Sequence, residues 1–191
     1  MTEERRFFID AIRNGSYAYS SDDFVMPVLP ELSKESIAKK AELDYKKWSS
    51  QANEFWLGAQ YYQERKIYNL AAFCMHQAIE SGFIALISSV LGYKLHVHNL
   101  SRMLRITLMF TDEIKQVFRL DTQEGVQLFE LLREAYSKTR YSSSYQLDKA
   151  VVDSLTKIIP EFLGTAEKVY KDFIDSIEGQ EHLSPIPPSG L

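Results

Sequence analysis

The chain is 191 residues long, 45% hydrophobic and 25% charged, with a formal net charge of −4. That balance suits one globular domain with appendages and excludes a disordered chain; a basic nucleic-acid surface is absent overall, though a local patch stays open. The single cysteine, Cys74, excludes an internal disulfide and points to a reducing compartment.

Residues 3–13 read as a short helix closed by Asn14-Gly15, since glycine suits the left-handed cap. Phe7-Phe8-Ile9 is too short an apolar run before Asp10 for a signal peptide. From Ser16 to Pro30 the pattern turns extended, hairpin-like in its alternation of Tyr17 and Tyr19 with small residues; Pro27 and Pro30 argue against helix. Ser33 is an N-cap candidate for a helix running to about Arg65, with Tyr45, Trp48, Ala52, Phe55, Ala59 and Tyr62 inward.

Lys66 to Leu91 carries the strongest helical pattern. Small residues mark one face (Ala71, Ala78, Gly82, Ala85, Ser89), and Ile79, Phe83, Leu86 and Val90 widen it, which predicts a central, buried helix. The longest apolar stretch, Phe83–Tyr93, falls short of the roughly 20 residues that span a bilayer, so no membrane segment and a cytoplasmic location are expected.

Gly92 ends that helix. Asn99 caps another to about Phe110, and a short helix covers 112–119. Asp121 or Thr122 caps a helix from about Gln123 to Tyr141, broken by Ser142-Ser143-Ser144. The last helix covers about 148–177, with Val152, Leu155, Ile159, Phe162, Ala166, Val169 and Phe173 inward and a kink expected at Pro160. The proline-bearing tail from Gly179 to Leu191 is expected to be disordered. The fold class is therefore all-α: an antiparallel helical bundle of about five helices with a short N-terminal helix and an extended segment. It divides into an appendage (1–32), the bundle (33–178) and a tail (179–191).

No spacing among Cys74, His76, His96 and His98 matches a zinc site, so neither metal nor cofactor is expected. His98 reads as a helix-start residue with a structural or site-rim role, His76 as a half-buried helix residue, and Cys74 as inert. Gly15-Ser16 followed by Asp22-Asp23 imitates a magnesium-binding pattern, but adjacent carboxylates on a strand face opposite sides, so a turn is the better reading. Core packing explains most of the aromatic residues, with a minor share for base stacking. Lys39-Lys40 and Lys46-Lys47 read as a solvated face.

Several segments line up in order: Ala52-Asn53-Glu54-Phe55 with Ala59; Tyr68 to Phe73 followed by His76-Gln77-Ala78-Ile79-Glu80; His98-Asn99-Leu100; and Ala135-Tyr136 with Thr139-Arg140-Tyr141. Over about residues 45–175 they resemble the helices of the HEPN family. Phe7-Phe8, Asn14-Gly15 and Tyr17-Ala18-Tyr19 resemble the end of a nucleotidyltransferase module of the kind fused to or paired with such domains, in toxin–antitoxin-like systems. The resemblance implies a nucleotide or RNA ligand, a homodimer, and a nucleotidyltransferase partner. Many members are metal-independent ribonucleases whose arginine is followed four to six residues later by a histidine, the arginine holding phosphate charge and the histidine moving a proton.

Here Arg140 is followed by Tyr141-Ser142-Ser143-Ser144-Tyr145-Gln146-Leu147, without histidine. Tyr145 stands at the right spacing, but an ordinary tyrosine is a poor base at neutral pH. The reading is a helical binding or partner module in a nucleotide- or nucleic-acid-linked system, without catalysis of its own. A ribonuclease with a rearranged site and a structural dimerisation domain are the alternatives. The candidate ligand-binding residues are Arg140, Tyr141, Tyr145, Glu80 and His98. A purely structural Arg140 would instead pair with a carboxylate such as Glu80.

Overall fold

In the computed structural model, the described residues are 5–15, 29–95, 97–142 and 144–179. They form seven helices and no strand: α1 (Arg5–Asn14), α2 (Lys34–Glu64), α3 (Tyr68–Leu91), α4 (Leu100–Thr107), α5 (Glu113–Val117), α6 (Gln123–Tyr141) and α7 (Lys149–Gly179). The fold is an all-α helical bundle, as the spacing of apolar residues predicts.

The helix boundaries follow short-range chemistry. Ser33 accepts the Ser36 N–H at 3.2 Å, Asn99 accepts from Arg102 at 2.9 Å, and Thr122 accepts from Gly125 at 3.0 Å. Gly92 closes α3 at φ +66° in the left-handed region, and a Cβ there would meet the Arg6 side chain at 3.0 Å.

α3 is the core. From Ala78 to Val90 every residue is buried, because α2, α6 and α7 all pack on it. By length and mean hydropathy (1.5) α3 would cross a membrane, which the shorter stretch read from the sequence missed; 83% of its most apolar window lies inside the bundle, as befits a core helix. Gly82 lets α7 approach: a Cβ there would stand 2.5 Å from Phe162 Cε1. Phe83, Phe118 and Phe162 then meet, with centroids 4.9–6.1 Å apart.

Cross-helix pairs give the directions. Gln63 bonds Asp153 and Thr156 while Tyr45 stacks on Tyr170, so α2 and α7 run antiparallel. Thr139 meets Asn69 and Leu132 meets His76, so α3 and α6 do too. α7 continues through Pro160 to Gly179, with the proline on its exposed side. Its inward residues are buried as expected except Phe173, which is half-buried.

α1 folds back onto the bundle. Ile9 is buried, Arg6 donates to the Ser89 carbonyl at 3.4 Å, and its guanidinium lies 5.0 Å from the Phe173 ring. The expected extended segment is described only at Leu29 and Pro30. Tyr17, Tyr19, Asp22, Asp23, Phe24, Pro27, His96, Ser143 and the tail from 180 lie outside the described residues.

Candidate functional site

The sequence-predicted residues fall into two places joined by His76 and Tyr136, which were not among the ligand candidates. The first centres on Glu80 in α3, whose side chain is only 8% exposed. Its Oε1 accepts from His98 Nδ1 at 2.7 Å, and its Oε2 accepts from Gln77 Nε2 at 2.9 Å. His98 stands just before the α4 cap and is 72% exposed. With Nδ1 donating to Glu80, its Nε2 is left for solvent or a ligand.

His76, one turn before Glu80, is fully buried rather than half-buried. Its Nδ1 lies 2.9 Å from the Leu132 carbonyl, an acceptor only, so Nδ1 carries the proton. Its Nε2 lies 3.3 Å from Glu80 Oε2, outside hydrogen-bond geometry. The depth follows from α6, which lays Leu132 and Tyr136 over the ring.

Burial works to raise the Glu80 pKa. The close contacts to His76 and His98 and their charge outweigh it and hold the carboxyl below its ordinary value. Glu80 thus stays an ionised, buried carboxylate. Among the described residues no group of histidines, cysteines and carboxylates is arranged to hold a metal ion.

The second place is the end of α6. Arg140 donates to the Tyr136 hydroxyl at 2.8 Å, and its guanidinium lies 5.2 Å from the Tyr136 ring and 5.4 Å from the Tyr141 ring. Among the described residues it has no carboxylate partner. The Arg140–Glu80 pair drawn from the sequence is therefore replaced. Tyr136, one turn away on the same helix, takes the arginine, and His98 takes the carboxylate. Tyr141 is 77% exposed.

Tyr136 links the two places. Its ring stacks on His76 at 5.3 Å and on Phe73 at 6.0 Å. A continuous path therefore runs from Arg140 through Tyr136 and His76 to Glu80 and His98. The i,i+4 spacings of His76 with Glu80 and of Tyr136 with Arg140 were the available signals for it.

Tyr145 behaves differently. Its hydroxyl is buried without a hydrogen-bond partner, and burial followed by the charge of Glu134 pushes its pKa up to about 12. Its hydroxyl is buried and stays protonated at neutral pH, which suits it poorly to act as a base. Burial likewise pushes the Cys74 thiol up, away from the reactive thiolate.

A family model described as HEPN domain matches residues 45–169. Among curated proteins the chain finds no match.

Proposed function

The chain belongs to the HEPN domain family, whose members have nucleic-acid-linked or ribonuclease roles, and we propose that it binds a phosphate-bearing ligand, a nucleotide or single-stranded RNA, at Arg140 and Tyr141. The observation that carries this reading is Arg140 itself: exposed, cradled by two tyrosine rings, and without a carboxylate to neutralise it. An arginine fork matches phosphate geometry, and the exposed Tyr141 ring offers a stacking face for a base. His98, held by Glu80, stands at the rim.

The module binds without cleaving. No histidine follows Arg140 at the ribonuclease spacing, and the Tyr145 phenol stays protonated at neutral pH. Fluorescence anisotropy with a labelled single-stranded RNA tests the reading. Arg140→Ala and Tyr141→Ala are each expected to weaken binding by roughly tenfold, in line with about 1–3 kcal/mol per stacked base. Equal affinity in both variants would refute the site. RNA cleavage that Arg140→Ala abolishes with the fold intact would favour the rearranged ribonuclease instead.

A second reading, self-association, rests on a separate surface. Leu104, Leu108, Leu120, Val126 and Phe129 line a cavity of about 310 Å³ between α4 and α6, and Met109 beside it is 75% exposed. Apolar patches of this kind on soluble domains mark interaction surfaces. A second copy is the first choice of occupant and a nucleotidyltransferase-bearing chain the next.

A further inference from the structure

Resting on the reading of Arg140 above, we propose that Tyr61 and Arg65 form a second phosphate subsite, so that the ligand is a single-stranded nucleic acid of at least two nucleotides lying across an open strip of α3. Arg65 is the C-cap of α2. Its guanidinium lies 5.4 Å from the Tyr61 ring and donates to the Tyr61 hydroxyl at 3.2 Å. Like Arg140, it rests on a tyrosine one turn back and has no carboxylate partner among the described residues. Two such arginines stand at one end of a chain of net charge −4, each without a carboxylate partner among the described residues.

The fold brings both arginines to that end. Asn69, at the start of α3, ties it together. Its side chain donates to the Tyr145 carbonyl at 2.5 Å and accepts from the Leu147 N–H at 3.0 Å, and its carbonyl accepts from Thr139 at 3.2 Å. The end of α6 is thereby fixed beside the α2–α3 turn, where Arg65 sits.

Between the two arginines α3 is only partly covered. α2 lies on one side, where a Cβ on Gly58 would meet Cys74 Sγ at 3.6 Å. α6 lies on the other, where Tyr136 stacks on Phe73. Leu70 is 38% exposed, and Phe73 and Gln77 are half-buried. These three recur at helical spacing and form one stripe. Gly58, Tyr61 and Arg65 recur the same way, so Tyr61 and Arg65 continue the edge of α2 that meets α3. Tyr61 is 53% exposed.

The arrangement suits a strand crossing from α2 to α6. Each guanidinium offers a fork to one phosphate, Tyr61 and Tyr141 offer rings to bases, and Leu70 and Phe73 give an apolar floor. Packed helices lie about 8–10 Å apart, so two walls with a helix between them exceed the reach of one phosphate or of a compact polyphosphate chain. A strand whose phosphates lie a few nucleotides apart suits a span of that size.

The test is anisotropy on the full chain with labelled octamers of RNA and of DNA, and with uridine monophosphate as competitor. The octamers are expected to bind at least tenfold tighter than the monophosphate, and the tighter sugar identifies the strand. Arg65→Ala should weaken octamer binding about tenfold, leave competition by the monophosphate unchanged, and flatten the slope of log affinity against log salt by roughly 0.7, the value of one lost phosphate contact on a single strand. Arg65→Lys should keep the parent slope while Arg65→Ala flattens it, a split that a purely structural Arg65 would not produce. A folded Arg65→Ala with unchanged octamer affinity and slope overturns the second subsite, as does a monophosphate binding as tightly as the octamers; either leaves the Arg140 site standing. Failure of both octamers to bind overturns this proposal, and failure of the monophosphate to bind as well overturns the Arg140 reading with it.

Discussion

Replacing Glu80 with alanine strikes three groups unequally. His98 is exposed and regains water, so losing its charge-assisted bond costs about 1 kcal/mol. Gln77 is half-buried and resolvates at little cost. His76 is buried, and the loss of the charge beside its Nε2, with the small void left behind, adds about 1–2 kcal/mol. The total, about 2–3 kcal/mol, falls below the loss expected from breaking a fully buried ion pair because His98 reaches solvent. Urea unfolding followed by circular dichroism at pH 7.5 measures it. The effect also has a pH signature. The folded pKa of Glu80 lies below its unfolded value, so the stabilisation is complete above the ordinary glutamate range and is lost as pH falls through the lowered folded value. The gap between the parent and Glu80→Ala must then shrink on acidification below about pH 4. A variant as stable as the parent at pH 7.5, or a gap that fails to shrink below about pH 4, refutes the assignment of an ionised Glu80 held by His98 and Gln77.

Tyr145→Phe removes a buried hydroxyl that has no partner, so thermal unfolding should show an unchanged or higher midpoint, with a gain of up to about 1 kcal/mol; a loss above that size would reveal a hydrogen bond to the hydroxyl. Met109→Glu places a charge beside the α4–α6 cavity and should lower the mass of the proposed dimer to that of a monomer in light scattering at concentrations above micromolar; a parent chain that is itself monomeric there removes the dimer reading.

The bundle was legible because its signals are local. Ser33, Asn99 and Thr122 cap helices where their side chains predict, and Gly92 ends α3 because only a left-handed residue turns the chain there. The small residues of α3 announced a core helix, since close packing needs them. Lys66 carried no such signal: it ends the α2 turn at φ +61°, a conformation usually given to glycine. The contacts of the candidate residues were less legible. Glu80, His98 and Arg140 all matter to the geometry, yet spacing alone cannot say that a loop residue reaches Glu80 before an arginine on α6 does. Tyr136 and His76 were passed over because each looks like an ordinary half-buried helix residue until α3 and α6 are laid side by side. Tyr61 and Arg65, one turn apart, carried the same mark as Tyr136 and Arg140.

The exchange of partners matters for an anion. Had Arg140 paired with Glu80, the carboxylate would occupy the guanidinium fork, and a phosphate would have to displace it against the repulsion of a neighbouring negative charge. Instead Glu80 lies buried between His98, Gln77 and His76, and its charge is balanced by N–H groups from its own surroundings. Arg140 is held by a neutral phenol and two rings, which position the guanidinium without neutralising it. Tyr136 serves both ends, packing on His76 with its ring and fixing Arg140 with its hydroxyl. The same side chain that seals the acidic cluster therefore presents the basic one, and the positive charge is left facing outward where a phosphate can reach it.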